Sequence, residues 1–480
     1  MATKALKKDN FVHSPGSIRE LLVIALPMMA SSVCETVMTF TDRLFLSKLG
    51  SAQMNAALCG GLTSFLLKTF FLGLIGYGTA LVAQFLGSGK KKNCSVVVTQ
   101  TAIIAVIAYP IVLLAAPLAR AFFSASGIAP EQLVPQTLFF NILIYASIIG
   151  LLQQVFGCFF SGIGRTRIVM IASVVAMTVN VGVNYVLVLG HFGVHSLGIR
   201  GSAYGTITGG ICSLLILAAA YFFGGTHKEY GVKDSFKLDF DVMRKLLKFG
   251  YPAGLEFFLN LAAFNGMVML FDAQGQLVAT AATVTFNWDM VAFIPLVGIE
   301  IAVTSLVGRY MGARQPDTAH VSAMSGIKVG SIYSIAMLIM FLAVPNTLVN
   351  IFRPEVNDTI FTQAMPLTLF MVRLVAVYVL SEAVMVAFTG ALRGAGDTFW
   401  AMSISVTLHW LMVGVLFVMF KKMHTSAELA WVALVTWMLL FTFVFYLRYR
   451  SGKWREIKLI HDPGTDMVPV HEGFHEQADL

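Results

Sequence analysis

The sequence predicts an all-α polytopic membrane protein: twelve transmembrane helices in two six-helix lobes, related by a pseudo-two-fold along the membrane normal. Composition, a series of twelve apolar segments and an internal repeat predict it. Of 480 residues, 57% are hydrophobic and only 12% charged, with a mean hydropathy of +0.78. A soluble chain carries about 25% charged residues. The deficit excludes a water-soluble enzyme, a nucleic-acid binder and a disordered chain, and leaves a membrane protein. A span uses about 20 apolar residues, so roughly a dozen spans with short loops consume the length. No sizeable soluble domain is left over.

The apolar segments follow in order. Spans 1 to 6 are expected at 21–46, 58–86, 95–123, 133–160, 168–190 and 199–223. Spans 7 to 12 are expected at 245–271, 278–308, 321–350, 359–390, 399–420 and 428–449. Segments of this length in lipid must satisfy their own backbone hydrogen bonds, so each is read as a helix. The ninth is the least regular, because Pro345 and Asn346 interrupt its end. The polar, basic start through Lys8 has no small-residue cleavage site after the first apolar run, so that run is read as a retained span.

The basic residues fit this alternation. With the N-terminus inside, 23 of them fall on the inner side, from Lys4, Lys7, Lys8 and Arg19 to Arg393 and Arg448 onward. Only 7 fall outside, the Lys421–Lys422 pair among them. Excess Lys and Arg marks cytoplasmic loops, so both termini and the charged loop 224–244 are expected in the cytoplasm. That loop divides the chain six spans from six. A shift of 225 aligns Arg19 with Arg244, Pro27 with Pro252, Gly50 with Gly275 and Gly87 with Gly312. Later, a shift of 232 pairs Gly162 with Gly394 and Gly164 with Gly396. The expected units are an N-terminal lobe (1–223), a cytoplasmic connector (224–244), a C-terminal lobe (245–450) and a cytoplasmic tail (451–480). An even number of spans per repeat gives both lobes the same direction, and the interface between such halves is the expected substrate site.

Motif chemistry is sparse. GIGRTR (162–167) and GAGDT (394–398) read as tight turns with the Arg or Asp in water; a phosphate cradle would need a preceding strand. Cys34, Cys59, Cys94, Cys158 and Cys212 are scattered and read as small buried hydrophobes, with no metal or disulfide spacing. No Walker-A motif offers ATP drive. A polytopic enzyme would need a His/Asp/Glu or Cys/His cluster; the ten histidines are scattered, with His409 by itself in span 11.

Ionisable groups inside spans are costly, and each is a functional candidate. The acidic ones are Glu35 and Asp42 (span 1), Glu256 (span 7), Asp289 and Glu300 (span 8), and Glu382 (span 10). Glu35 and Asp42 share a helix face about 10 Å apart, and Asp289 and Glu300 share one three turns apart. Glu256 and Asn260 are neighbours one turn apart. Asp42 is open to a plainer reading, a charge at a helix end paired with Arg43 or Lys48. Asn180 and Asn184, one turn apart in span 5, read either as helix–helix glue or as ion and substrate ligands.

These residues resemble the MATE (multidrug and toxic compound extrusion) family. The resemblance rests on Pro27 followed by FTDRLFLSKLG (40–50), VNVGVNYVLVLGHFGVHSLGIRGSAYGT (179–206), IAVTSLVGRYMGA (301–313) and FTGALRGAGDT (388–398). It covers about residues 20–450. It implies a two-lobed, cation-coupled antiporter in the cell membrane (the inner membrane if bacterial). Such a protein exports amphiphilic, cationic organic compounds in exchange for Na⁺ or H⁺, without a cofactor or catalytic residues. The implied partners are a small organic substrate and the lipid bilayer, without nucleic acid, and the chain is expected to be monomeric. By resemblance, the span-1 Asp is Asp42, facing Asn180, and the span-10 acid is Glu382. Ion coupling is expected from Glu382, Glu256, Asn260, Asp42 and Glu35, and cavity roles from Asn180, Asn184, Asp289 and Glu300. The chain departs from the family where the span-7 acid of many sodium-coupled members falls on Asn260, and where a span-5 Asp falls on Asn184. A lipid-linked precursor flippase of the same superfamily is the alternative transport reading.

Overall fold

The computed structural model describes residues 14–125, 130–353 and 359–460. Lys4, Lys7, Lys8 and the tail beyond residue 460 lie outside the described residues. Every regular element among the described residues is helical. The spans are Ile18–Ser47, Ser51–Gly87, Lys91–Ala125, Pro130–Gly162, Thr166–Leu187 and Ile199–Phe222, then Phe240–Asp272, Gln276–Gly312, Pro316–Ala343, Thr359–Ala395, Thr398–Lys421 and Ala427–Arg450.

Local chemistry sets their ends. Ser17 caps span 1 by accepting from the Glu20 amide, and Asp239 caps span 7 by accepting from the amides of Asp241 and Val242; both side chains satisfy amides that a helix start leaves without partners. Gly164 (φ +77°) and Gly396 (φ +97°) turn the chain after spans 4 and 10 in the left-handed region that glycine enters without cost. Span 9 corrects the expectation of 321–350: its helix ends at Ala343, and Pro345 opens a separate short helix, Pro345–Asn350, because proline suits a first turn but not an interior. Span 4 bends by 45° between Tyr145 and Ser147, and span 2 breaks at Tyr77.

Spans 1–6 and 7–12 form two bundles. Span 1 lies against span 8 and span 2 against span 7, the reciprocal pairing a two-fold relation demands. Small residues let these backbones touch: a Cβ on Gly73 would come within 2.7 Å of the Ala253 carbonyl, and one on Gly250 within 2.8 Å of the Leu74 carbonyl. The contacts gather at the end of the molecule where Ile18 and Arg450 lie. There Glu20 of span 1 meets Arg309 of span 8 at 3.6 Å. Its other carboxylate oxygen accepts from Tyr310 OH and the Gly16 amide, both at 2.7 Å. Ser305 Oγ donates to the Ser161 carbonyl at 2.7 Å. Toward the opposite end span 1 exposes Glu35, Val37, Thr39 and Phe40. The contacts named here close the bundles on one another at the terminal end.

Candidate functional site

The buried and half-buried carboxylates fall into two classes. Glu20, Glu256, Glu300 and Asp397 each have an arginine; Asp42, Asp289 and Glu382 have only neutral neighbours within hydrogen-bonding distance among the described residues. A carboxylate beside a guanidinium is already balanced. One among neutral donors in a low-dielectric interior needs a proton, a metal cation or a cationic ligand to balance it.

In the N-terminal lobe, Asp42 accepts from Asn184 Nδ2 of span 5 and from Thr206 Oγ1 of span 6, the latter at 3.1 Å. Asn184 Nδ2 also reaches Asn180 Oδ1 at 3.3 Å. Asn180 and Asn184 are fully buried, and Asn180 Nδ2 and Asn184 Oδ1 find no protein partner. Asn184 fits because span 6 passes it with Gly205, where a Cβ would overlap the amide oxygen. The resemblance set Asn180 opposite Asp42. Asn180 belongs to the same buried cluster as Asp42, linked to it through Asn184. Thr206 was missed, because an isolated threonine in an apolar span has no signature in sequence. Glu35 lies on the same face of span 1, exposed, with no side-chain hydrogen bond or ion pair among the described residues.

In the C-terminal lobe the acids separate into two levels. Tyr378 OH of span 10 donates to Asp289 Oδ1 at 2.7 Å. Glu382 lies one turn beyond Tyr378, on the same face of span 10. It is 4% exposed, and its Oε2 has no protein partner. Nearer the closed end, Arg393 takes both Glu256, at 3.0 Å, and Glu300. Eleven residues, about 16 Å of helix, separate Glu382 from Arg393. This corrects the expectation for Glu256. Glu256 does not accompany Glu382; it is held by Arg393, which was read as a loop cation but ends span 10 with its side chain turned inward. Asn260 donates to Ser405 Oγ of span 11 at 2.7 Å. Asp397, expected in water, is 4% exposed and takes Arg448 in two hydrogen bonds of 2.8 and 3.0 Å.

A sequence model of the MatE family matches residues 27–186 and again 252–418. The chain belongs to the MatE family. The two matches begin at Pro27 and Pro252, 225 residues apart, so each covers one copy of the repeat. Among curated relatives, a probable multidrug resistance protein NorM of Shewanella oneidensis is 27% identical over 83% of this chain and 86% of its own length. The multidrug resistance protein MdtK of Proteus mirabilis is 26% identical over 82% and 85%. Of solved structures, an outward-facing multidrug resistance MATE transporter of the MOP superfamily superposes with a TM-score of 0.83 over 93% of this chain and 97% of that one, at 17% identity. A MATE protein in complex with MaL6 gives the same TM-score over 92% and 98%. This MATE protein is thus a multi-pass membrane transporter with relatives in multidrug efflux, and not an enzyme.

Proposed function

We propose that this MATE protein is a secondary antiporter of the cell membrane that exports amphiphilic, cationic organic compounds in exchange for Na⁺ or H⁺. One observation carries the reading: each lobe holds carboxylates balanced by no arginine, Asp42 in the first and the Asp289–Glu382 pair in the second. An antiporter needs groups whose charge is neutralised in turn by an ion and by substrate, and arginine-paired acids cannot alternate in that way. Residues 1–223 and 245–450 act as the two lobes, joined by a cytoplasmic connector (224–244) and followed by a cytoplasmic tail (451–480). Both termini are cytoplasmic, in keeping with the distribution of basic residues. With that orientation the closed end faces the cytoplasm. Binding at Glu382 or Asp42 removes a local negative charge, shifting the balance between two packings of the spans that carry them. The test is efflux from proteoliposomes of the wild type and of Glu382→Gln and Asp42→Asn. Gradient-driven efflux should fall at least tenfold in Glu382→Gln while the protein stays folded and inserted. Wild-type rates in both variants would refute the assignment.

A further inference from the structure

We propose that the groove between spans 9, 10 and 12 is a binding site for an anionic phospholipid, in the leaflet on the side of the described termini. The groove has a volume of about 990 Å³. Its walls are mainly apolar, with Met324 from span 9, Val384 from span 10 and Phe443 from span 12, beside Ser381 and Thr442. At the terminal end the lining changes to Tyr449, Arg450, Trp454 and Arg455. Two cations line this rim, Arg450 and Arg455. Arg455 is engaged by Asp317 at 3.1 Å. Arg450 is exposed and has no carboxylate partner among the described residues. An apolar trough that ends in aromatic rings and surplus positive charge matches acyl chains topped by an anionic head group.

The other lobe shows how a trough of this kind is occupied. The 225-residue shift carries Ser95 of span 3 onto His320 and Thr99 onto Met324, and both His320 and Met324 line the groove. In the N-terminal lobe the corresponding trough is filled by the chain itself. Ser95 Oγ donates to the Tyr230 carbonyl at 2.9 Å, Thr99 Oγ1 to Ser235 Oγ at 3.3 Å, and Gln100 Nε2 to the Lys237 carbonyl at 2.7 Å. The Tyr230 ring packs edge-on against Phe159 of span 4, and Phe236 stacks on Phe222 of span 6. In the C-terminal lobe the chain after span 12 packs at the terminal end of the groove, where Trp454 stacks on Tyr449. The connector supplies apolar and polar filling in one lobe, and the groove of the other lobe offers the same kinds of surface to a lipid.

Native mass spectrometry of the full-length protein, offered equal amounts of phosphatidylglycerol and phosphatidylcholine, tests this. The wild type should retain phosphatidylglycerol selectively. Arg450→Gln with Arg455→Gln should lower that retention on the order of tenfold, and Arg450→Gln, at an exposed position, should lower it in part. Met324→Trp fills the trough without touching a charge and should abolish retention of both lipids. Equal retention of the two lipids, or phosphatidylglycerol retention unchanged by the charge variants and by Met324→Trp, would overturn the proposal. Retention of neither lipid by the wild type would overturn it as well, since something else then fills the groove.

Discussion

Gly87 and Gly312 sit against each other where spans 2 and 8 cross, each pressed on the carbonyl three residues before the other glycine. A Cβ on Gly87 would overlap the Arg309 oxygen, and one on Gly312 the Gln84 oxygen. The flanking side chains are reciprocal too. Gln84 Nε2 donates to the Gly394 carbonyl at 2.8 Å, and Arg309 Nη2 donates to the Ile163 carbonyl at 3.3 Å. Gln84 and Arg309 are themselves 225 residues apart, so the pseudo-two-fold passes through this crossing.

Gly87→Ala or Gly312→Ala should therefore force the lobes apart at their closed end. Overpacking of this kind costs about 1–3 kcal/mol, measurable as a lowered unfolding temperature in detergent. The two changes press on one contact, so the double variant should lose less than the sum of the singles.

The Glu20 cluster should hold the same end shut. Glu20→Gln removes the charge from Arg309 while keeping the shape. A cysteine at Ser305, placed in either background, reports on opening. A thiol reagent supplied from the side of the termini should label it faster in Glu20→Gln than in the parent. Tyr310→Phe removes one hydrogen bond, worth about 1 kcal/mol, and should have a smaller effect in the same direction. Equal labelling in all backgrounds would show that the cluster is not a gate.

Glu256 and Glu382 should behave differently although both are buried acids in the C-terminal lobe. Glu256→Gln weakens the balance around Arg393, so it should lower thermal stability and leave ion dependence intact. Glu382→Gln should leave stability unchanged or raised and remove gradient-driven efflux. Unfolding temperature and efflux, measured on both variants, separate the two outcomes.

Much of the architecture was legible in the sequence, and the reason is physical. Apolar length dictates spans, basic residues alternate with them, and Pro27, Gly87, Gly164 and their repeat partners stand where backbone geometry restricts the choice of residue. The site was legible only in part. Helical spacing placed Asp289 and Glu300 on one face, but spacing along one helix cannot say which helix faces it. Arg393 was hidden because five residues of extra helix beyond the expected end of span 10 carry it inward. Glu20 was hidden by its place at the very start of span 1, where a charge reads as solvated. Thr206 has no pattern at all; only the packing of spans 5 and 6 around Gly205 brings it to Asp42.

In the N-terminal lobe, Thr206→Val removes one of the two side-chain donors to Asp42 and should reduce efflux several-fold at unchanged protein level. Asn184→Ala should reduce it further, since it also strands the Asn180 amide. If both variants transport at wild-type rate, this cluster is packing between helices and not part of the transport cycle.

The most direct test of the account imposes one gradient at a time on proteoliposomes containing the wild type, Glu382→Gln or Asp42→Asn, and follows efflux of a fluorescent organic cation. The account predicts that a single gradient, Na⁺ or pH, suffices for the wild type and that Glu382→Gln loses the response to that gradient. Efflux by the wild type that ignores both gradients, or that persists unchanged in both variants, would contradict it.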